Sequence, residues 1–352
     1  MTAPALFPAL PPHLVPGLDT LHAQLPAALL DGVAEYAQVV ALRSHAEAVR
    51  SIAALCALLP PAASIAAVPE AVQVHIHNRT GLADDAAHDR YCRVRRVSEP
   101  EGVAFLRSVL LATGMFHAEM HASYPQSEQR LFAEVGLGLA ALLAYIAGVE
   151  PPAVEHSEPD PQALPPPIDP MWRWVLGHQI FVALTQGLIF ALQEFEAAIR
   201  RWQENTQRSA LKLAVDLMTS SATSFRFTAD FAAEAYANVV RPSMMGKEVG
   251  EGFSGLLSVD HRRLVAVLTR IRPLMGQTAQ RFAAEHERLT AALNHVYGDH
   301  RFVCTQFGGA KTPSLLCPRS SPLPGSEQLD RYRRARGELL RPGSGGEPVI
   351  LE

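Results

Sequence analysis

Apolar positions recur at helical spacing along most of this chain. Leu29–Leu59 is rich in Ala and Leu, with polar residues at helical intervals, and stops at Pro60-Pro61. Pro100–His121 and Gln126–Val149 read as two more helices, split by Tyr124-Pro125. The stretch Glu150–Pro170 holds eight prolines in 21 residues, so it reads as an extended connector. Helical texture then resumes over Met171–Asn205, Thr206–Thr219, Ser224–Val240, Ser258–Arg272 and Met275–Tyr297. There is one departure: Val72–His77 and Tyr91–Val97 alternate in polarity at period two around Asn78–Asp85. The pattern therefore predicts an all-α fold with a small β-hairpin near residues 72–97. Because both sides of the connector at 150–170 share one texture, 1–317 reads as a single helical domain. The tail 318–352, with Gly343-Ser344-Gly345-Gly346, is expected to be loosely ordered.

Composition narrows the classes. At 352 residues, 48% apolar and 19% charged, the chain can bury a large core. Its net charge of −4, with scattered basic residues, argues against a nucleic-acid partner. The most apolar helix candidate, Trp174–Phe195, carries His178, Gln179, Gln186, Gln193 and Glu194, so it reads as a core helix and no membrane partner is expected. The N-terminus lacks the basic stretch of a signal peptide. Cys56, Cys92, Cys304 and Cys317 form neither a CxxC pair nor a CxxCH heme-attachment site. Reduced thiols in a cytoplasmic protein are the expectation.

Common catalytic signatures for nucleotides, hydrolases and zinc are missing, and no second ExxH supports a di-iron pair. What remains is histidine, at 14 positions. His13, His22, His45, His156 and His300 lie in polar or loop contexts and read as ordinary residues. His178, in an apolar helix, reads as a hydrogen-bonded core residue ahead of a ligand. The segment Arg281–Leu289 carries His286 and runs on to His295 and Gly298, with Gly308-Gly309 beyond. A helical histidine followed by a glycine-rich loop can build a heme pocket. By spacing alone, a surface helix and a routine Gly-Gly turn account for it better.

This region resembles the proximal-histidine region of the tryptophan and indoleamine 2,3-dioxygenase superfamily. It looks closest to the pyrrolnitrin-pathway heme enzyme and the heme-dependent L-tyrosine hydroxylases. His286, Gly298 and Gly308-Gly309 follow the family's order. The resemblance implies His286 as the iron ligand of a heme b, with His295 the runner-up and Gly308 and Gly309 over the substrate. A second stretch, Ser220–Phe227, Tyr236–Pro242 and Gly252–Leu257, resembles the family's substrate-side region. There Ser224 faces the substrate and Arg241 holds its carboxylate, with Arg226 as the alternative anchor; either arginine could instead pair with Asp230 or Glu234. Early histidines supply the distal pocket in relatives, and His88, on a predicted loop, is the candidate ahead of His75 and His77.

The resemblance implies a cytoplasmic monooxygenase, and a homodimer, that hydroxylates L-tyrosine at the ring 3-position to L-DOPA. The oxidant would be hydrogen peroxide, or dioxygen with a reductant, and the setting antibiotic biosynthesis. The alternatives are an indole-acting heme dioxygenase or ring-rearranging enzyme, a non-catalytic heme sensor or carrier, and a heme-free helical interaction protein.

Overall fold

The computed structural model describes residues 6–39, 44–61, 82–123, 126–151, 168–245, 258–308 and 325–341. In chain order the elements are β1 (Phe7–Ala9), α1 (Leu18–Gln24), α2 (Ala27–Val39), α3 (His45–Leu58), α4 (Leu82–Tyr91), β2 (Val94–Arg96), α5 (Glu101–Ser123), α6 (Gln126–Ala147), α7 (Pro170–Arg200) and α8 (Glu204–Thr228). A broken segment follows: α9 (Ala233–Ala235), a π-helical turn (Tyr236–Val240) and α10 (Arg241–Ser243). Then come α11 (Val259–Thr278), α12 (Ala283–Gly308) and a last helix, α13 (Gly325–Leu340). The helical fold read from the sequence is the observed one.

The packing is organised around α7. Asp169 caps it by accepting from the amides of Met171 (2.9 Å) and Trp172 (3.1 Å), and Pro170 occupies the first turn, where no amide partner is needed. Apolar side chains cover its whole circumference, which marks a buried helix. Length and composition alone would let it cross a membrane, yet 89% of its most apolar window is buried inside the protein. Near its start, Arg173 is fully buried, ion-paired to Glu119 of α5 at 2.6 Å and set over the Phe227 ring of α8.

Helices α7 and α8 come close together at Gly177. A Cβ there would lie 2.0 Å from the Thr228 hydroxyl, which itself donates to the Ser224 carbonyl at 2.6 Å. Gly177→Ala should therefore cost about 1–3 kcal/mol through overpacking. A lowered urea midpoint would show it, and an unchanged midpoint would mean that the helices part there freely.

Four expectations are corrected. The strand at 94–96 exists, but it pairs in parallel with β1 (Phe7 opposite Val94, Ala9 opposite Arg96) and not in a hairpin. Pro8 fits this short sheet because edge strands tolerate a missing donor. Residues 82–91, expected as loop and strand, are helical, while 72–77 lie outside the described residues. The helix expected to stop at Tyr297 runs through Gly298 to Gly308, and a break at 279–282 separates it from α11. Finally, the tail contains α13, which packs on both α11 and α12. Its buried Leu340 and half-buried Leu339 and Tyr332 give it an apolar side to bury.

Candidate functional site

Four histidines from four helices act on one another electrostatically: His88 (α4), which is buried, and His178 (α7), His261 (α11) and His300 (α12), which are half-buried. His178 feels the charges of His88 and His300, and His261 those of His300 and His88. Burial lowers the His178, His261 and His300 pKa values, each to about 4. All three are therefore neutral near pH 7, the state in which imidazole binds a metal.

Their hydrogen bonding separates them. His178 Nδ1–H donates to the Trp174 carbonyl at 2.7 Å, which puts the lone pair on Nε2. For His261 and His300 no side-chain hydrogen bond is found among the described residues. His300 stacks on Phe225 with ring centroids 4.6 Å apart. His261 sits in the first turn of α11, fixed by Ser258, whose hydroxyl accepts from its amide at 3.4 Å. One turn beyond His300, burial pushes the Cys304 thiol up to about 11, so it stays protonated and is a poor iron ligand.

His88 is 3% exposed and lies on a helix, not on a loop tip. Burial works against its charged form, but Cys92, with Sγ 4.0 Å from Nε2, and Asp89 at 3.9 Å outweigh it and push the pKa up. Asp89 in turn is held by Arg96 (2.7 and 2.9 Å). The same guanidinium bonds Asp260 at 2.6 Å and the Leu10 carbonyl at 2.8 Å, and Gln186 of α7 donates to both of these partners at 2.8 Å. Asp89 and Asp260 are the chain neighbours of His88 and His261. One buried arginine thus fixes two elements of the site.

An aromatic wall adjoins the histidines. Tyr236 stacks on Phe307 (4.2 Å, 3°) and lies 5.8 Å from Trp174, which lies 4.8 Å from His178. Tyr91 donates to Ser243 at 2.7 Å, and Ser243 to the Val240 carbonyl at 2.6 Å. The π-helical turn at 236–240 precedes Pro242, whose ring cannot fit against the carbonyl of residue 238, so the backbone widens there. That turn aims Tyr236 at the wall. Arg241 lies near Tyr236, and its charge works against the upward push of burial on the phenol.

The other expected site residues lie elsewhere. His286 is on α12, 14 residues before His300, about 21 Å away along the helix axis. It is buried against Thr278 (Nε2 to Oγ1, 3.2 Å), with Nδ1 unpartnered. His295 is exposed. Arg226 is tied to Asp299 (2.6 Å) and covers Phe302 on the surface, and the Ser224 hydroxyl donates back to the Ser221 carbonyl at 2.8 Å. Gly308 ends α12, while Gly309, His75 and His77 lie outside the described residues. Sequence reading passed over His261 and His300. The available signal was that His300, Val303, Cys304 and Phe307 keep helical spacing past Gly298.

The family model for the SfmD 3-methyl-L-tyrosine peroxygenases matches residues 4–292, which includes His88, the π-helical turn and His261. The chain belongs to that family. A 3-methyl-L-tyrosine peroxygenase of Streptomyces lavendulae is 28% identical to this SfmD-family chain over 211 residues, 58% of it and 56% of the relative. The chain thus spans little more than half of that relative's length. The crystal structure of SfmD reduced by soaking with sodium hydrosulfite matches with a TM-score of 0.67 at 22% identity. It covers 85% of this chain and 97% of that one, and shows a shared fold. A heme cofactor fits the SfmD family. The donor set fits it too, since His261 and His300 are two half-buried, neutral imidazoles whose charges act on one another.

Proposed function

We propose that this chain is a heme-dependent peroxygenase acting on the ring of L-tyrosine or a close phenolic relative, with His261 and His300 holding the iron. The observation that carries this reading is the pair itself: two half-buried, neutral imidazoles on α11 and α12, which both pack against α13, each without a side-chain hydrogen bond among the described residues. His286, the ligand expected from resemblance, has a hydroxyl partner in Thr278 and lies far along the helix. We therefore move the ligand role to His300 and His261.

When bound, heme supplies the oxidative chemistry; the protein supplies orientation, proton handling and exclusion of water. In the overall reaction one oxygen of hydrogen peroxide enters the C–H bond ortho to the phenol, and the other leaves as water. Starting from L-tyrosine, the product is L-DOPA, and no reductant is consumed. His88, kept as an imidazolium by Cys92 and Asp89, holds a proton that it can donate to the departing oxygen. His178 Nε2 offers a lone pair to the substrate phenol. Trp174, Tyr236 and Phe307 present ring faces for an aromatic side chain. Arg241, beside Tyr236, offers the guanidinium fork that suits the amino acid's carboxylate. The relative's name favours a phenol over an indole.

An optical titration tests this reading. The purified protein, reconstituted with hemin, should show a Soret band that shifts with L-tyrosine or 3-methyl-L-tyrosine, and peroxide should then yield the catechol. Absence of the band, or turnover of L-tryptophan alone, would reject it.

A further inference from the structure

Helix α13 lies across the two helices that carry His261 and His300. The family match ends at residue 292, so α13 falls outside it. Three of its other arginines, and Arg341 just beyond its end, have evident surroundings. Arg333 pairs with Asp330 and reaches Asn294, Arg341 pairs with Glu338, and Arg331 and Arg334 are exposed. Arg336 differs. It is half-buried, its Nε is fully enclosed with no hydrogen-bond partner, and its guanidinium carbon lies 5.9 Å from the Tyr332 ring centroid. No carboxylate pairs with it among the described residues. Its charge is felt by His261, in the first turn of α11, and by Tyr297 of α12.

A partly buried guanidinium without an anion is costly unless a ligand brings one. The chemistry that would relieve it is a carboxylate, which accepts two parallel N–H bonds from the fork. Two sources exist at this site, the porphyrin's propionates and the amino acid's α-carboxylate. Arg241 already stands by the aromatic wall, whereas Arg336 stands on the His261 side. We infer that Arg336 is the anchor for a heme propionate, and that α13 thereby clasps the cofactor into the bundle. This assignment rests on the heme reading above.

The test compares Arg336→Met, Arg336→Lys and the exposed control Arg334→Met in full-length protein reconstituted with hemin. Hemin transfer to excess apomyoglobin should be about 10-fold faster or more for Arg336→Met, in keeping with the 10–100-fold cost of losing a group behind a metal site. Arg336→Lys should fall between, since it keeps the charge but not the fork. Arg334→Met should match the wild type. Thermal melts of the apoproteins separate a binding effect from misfolding: a variant that melts as the wild type does and still loses hemin faster supports the clasp. Hemin release unchanged in Arg336→Met overturns it. Unchanged release with weaker L-tyrosine binding gives the guanidinium to the substrate's carboxylate and likewise overturns the propionate assignment. A wild type with no Soret band rejects the heme reading itself, and the propionate assignment falls with it.

Discussion

His300→Ala protein should come off the column nearly free of Soret absorbance, and added hemin should leave it at least about 100-fold faster than from the wild type. An iron-ligating imidazole would contribute more than the groups behind a metal site, whose loss alone costs about 10–100-fold. His261→Ala should behave alike, and the double variant should retain no low-spin bis-imidazole signature in its electron paramagnetic resonance spectrum. His286→Ala is the decisive comparison. Its imidazole bonds Thr278 far along α12, so hemin affinity should be unchanged. Should His286→Ala lose heme while His300→Ala keeps it, the ligand assignment made here is wrong.

His178, His261 and His300 make a pH prediction with a definite sign. Their folded pKa values are depressed to about 4, below the ordinary value of 6.5. Between those values the unfolded chain binds more protons, so apoprotein stability falls as pH drops from about 6.5 through 4. Heme loss should follow the lower end of that window, because ligation needs the neutral ring. A melting temperature flat from pH 7 to pH 4 would contradict this.

Arg96→Met should be strongly destabilising, at about 3–5 kcal/mol. The methionine fills the space but strands Asp260, 1% exposed, and Asp89 without their cation. For a domain whose total stability is about 5–15 kcal/mol, that is a large share. The loss should ease as pH falls from about 4 through 2, since Asp89 is depressed to about 2 and its contribution disappears once it is protonated. Chemical denaturation at pH 7 and at pH 3 measures both parts. The triple variant Arg96→Met, Asp89→Asn, Asp260→Asn should recover part of the loss, because no uncompensated charge remains. Equal midpoints for wild type and Arg96→Met would show that the network contributes nothing.

How far the site could be read in advance differs residue by residue. His88 stands out in the sequence, yet it lies buried on a helix and not on the expected loop. Residues 82–91 carry Asp84, Asp85, Asp89 and Arg90, which look like loop, and only the burial of Ala87, His88 and Cys92 makes them a helix. Arg241 gained weight from its place beside Tyr236, whereas Arg226, indistinguishable from it in the sequence, is spoken for by Asp299. His300 was set aside because Gly298 looked like a helix end. A glycine inside a helix costs only about 1 kcal/mol, which packing against α8 and α13 outweighs. Arg336 was hidden inside a stretch whose Gly-Ser neighbours suggested a loose tail.

Local pattern determined the elements: helical periodicity, the prolines that interrupt it and the capping residues Asp169 and Ser258 are properties of neighbours in the chain, and they sufficed for an all-α protein. Convergence was decided only in three dimensions. His88, His178, His261 and His300 come from four segments far apart in the chain, their charges act on one another only in the folded state, and burial, not residue type, makes three of these imidazoles neutral. Desolvation and charge pairing depend on what lies across a helix interface, and no spacing along the chain encodes that.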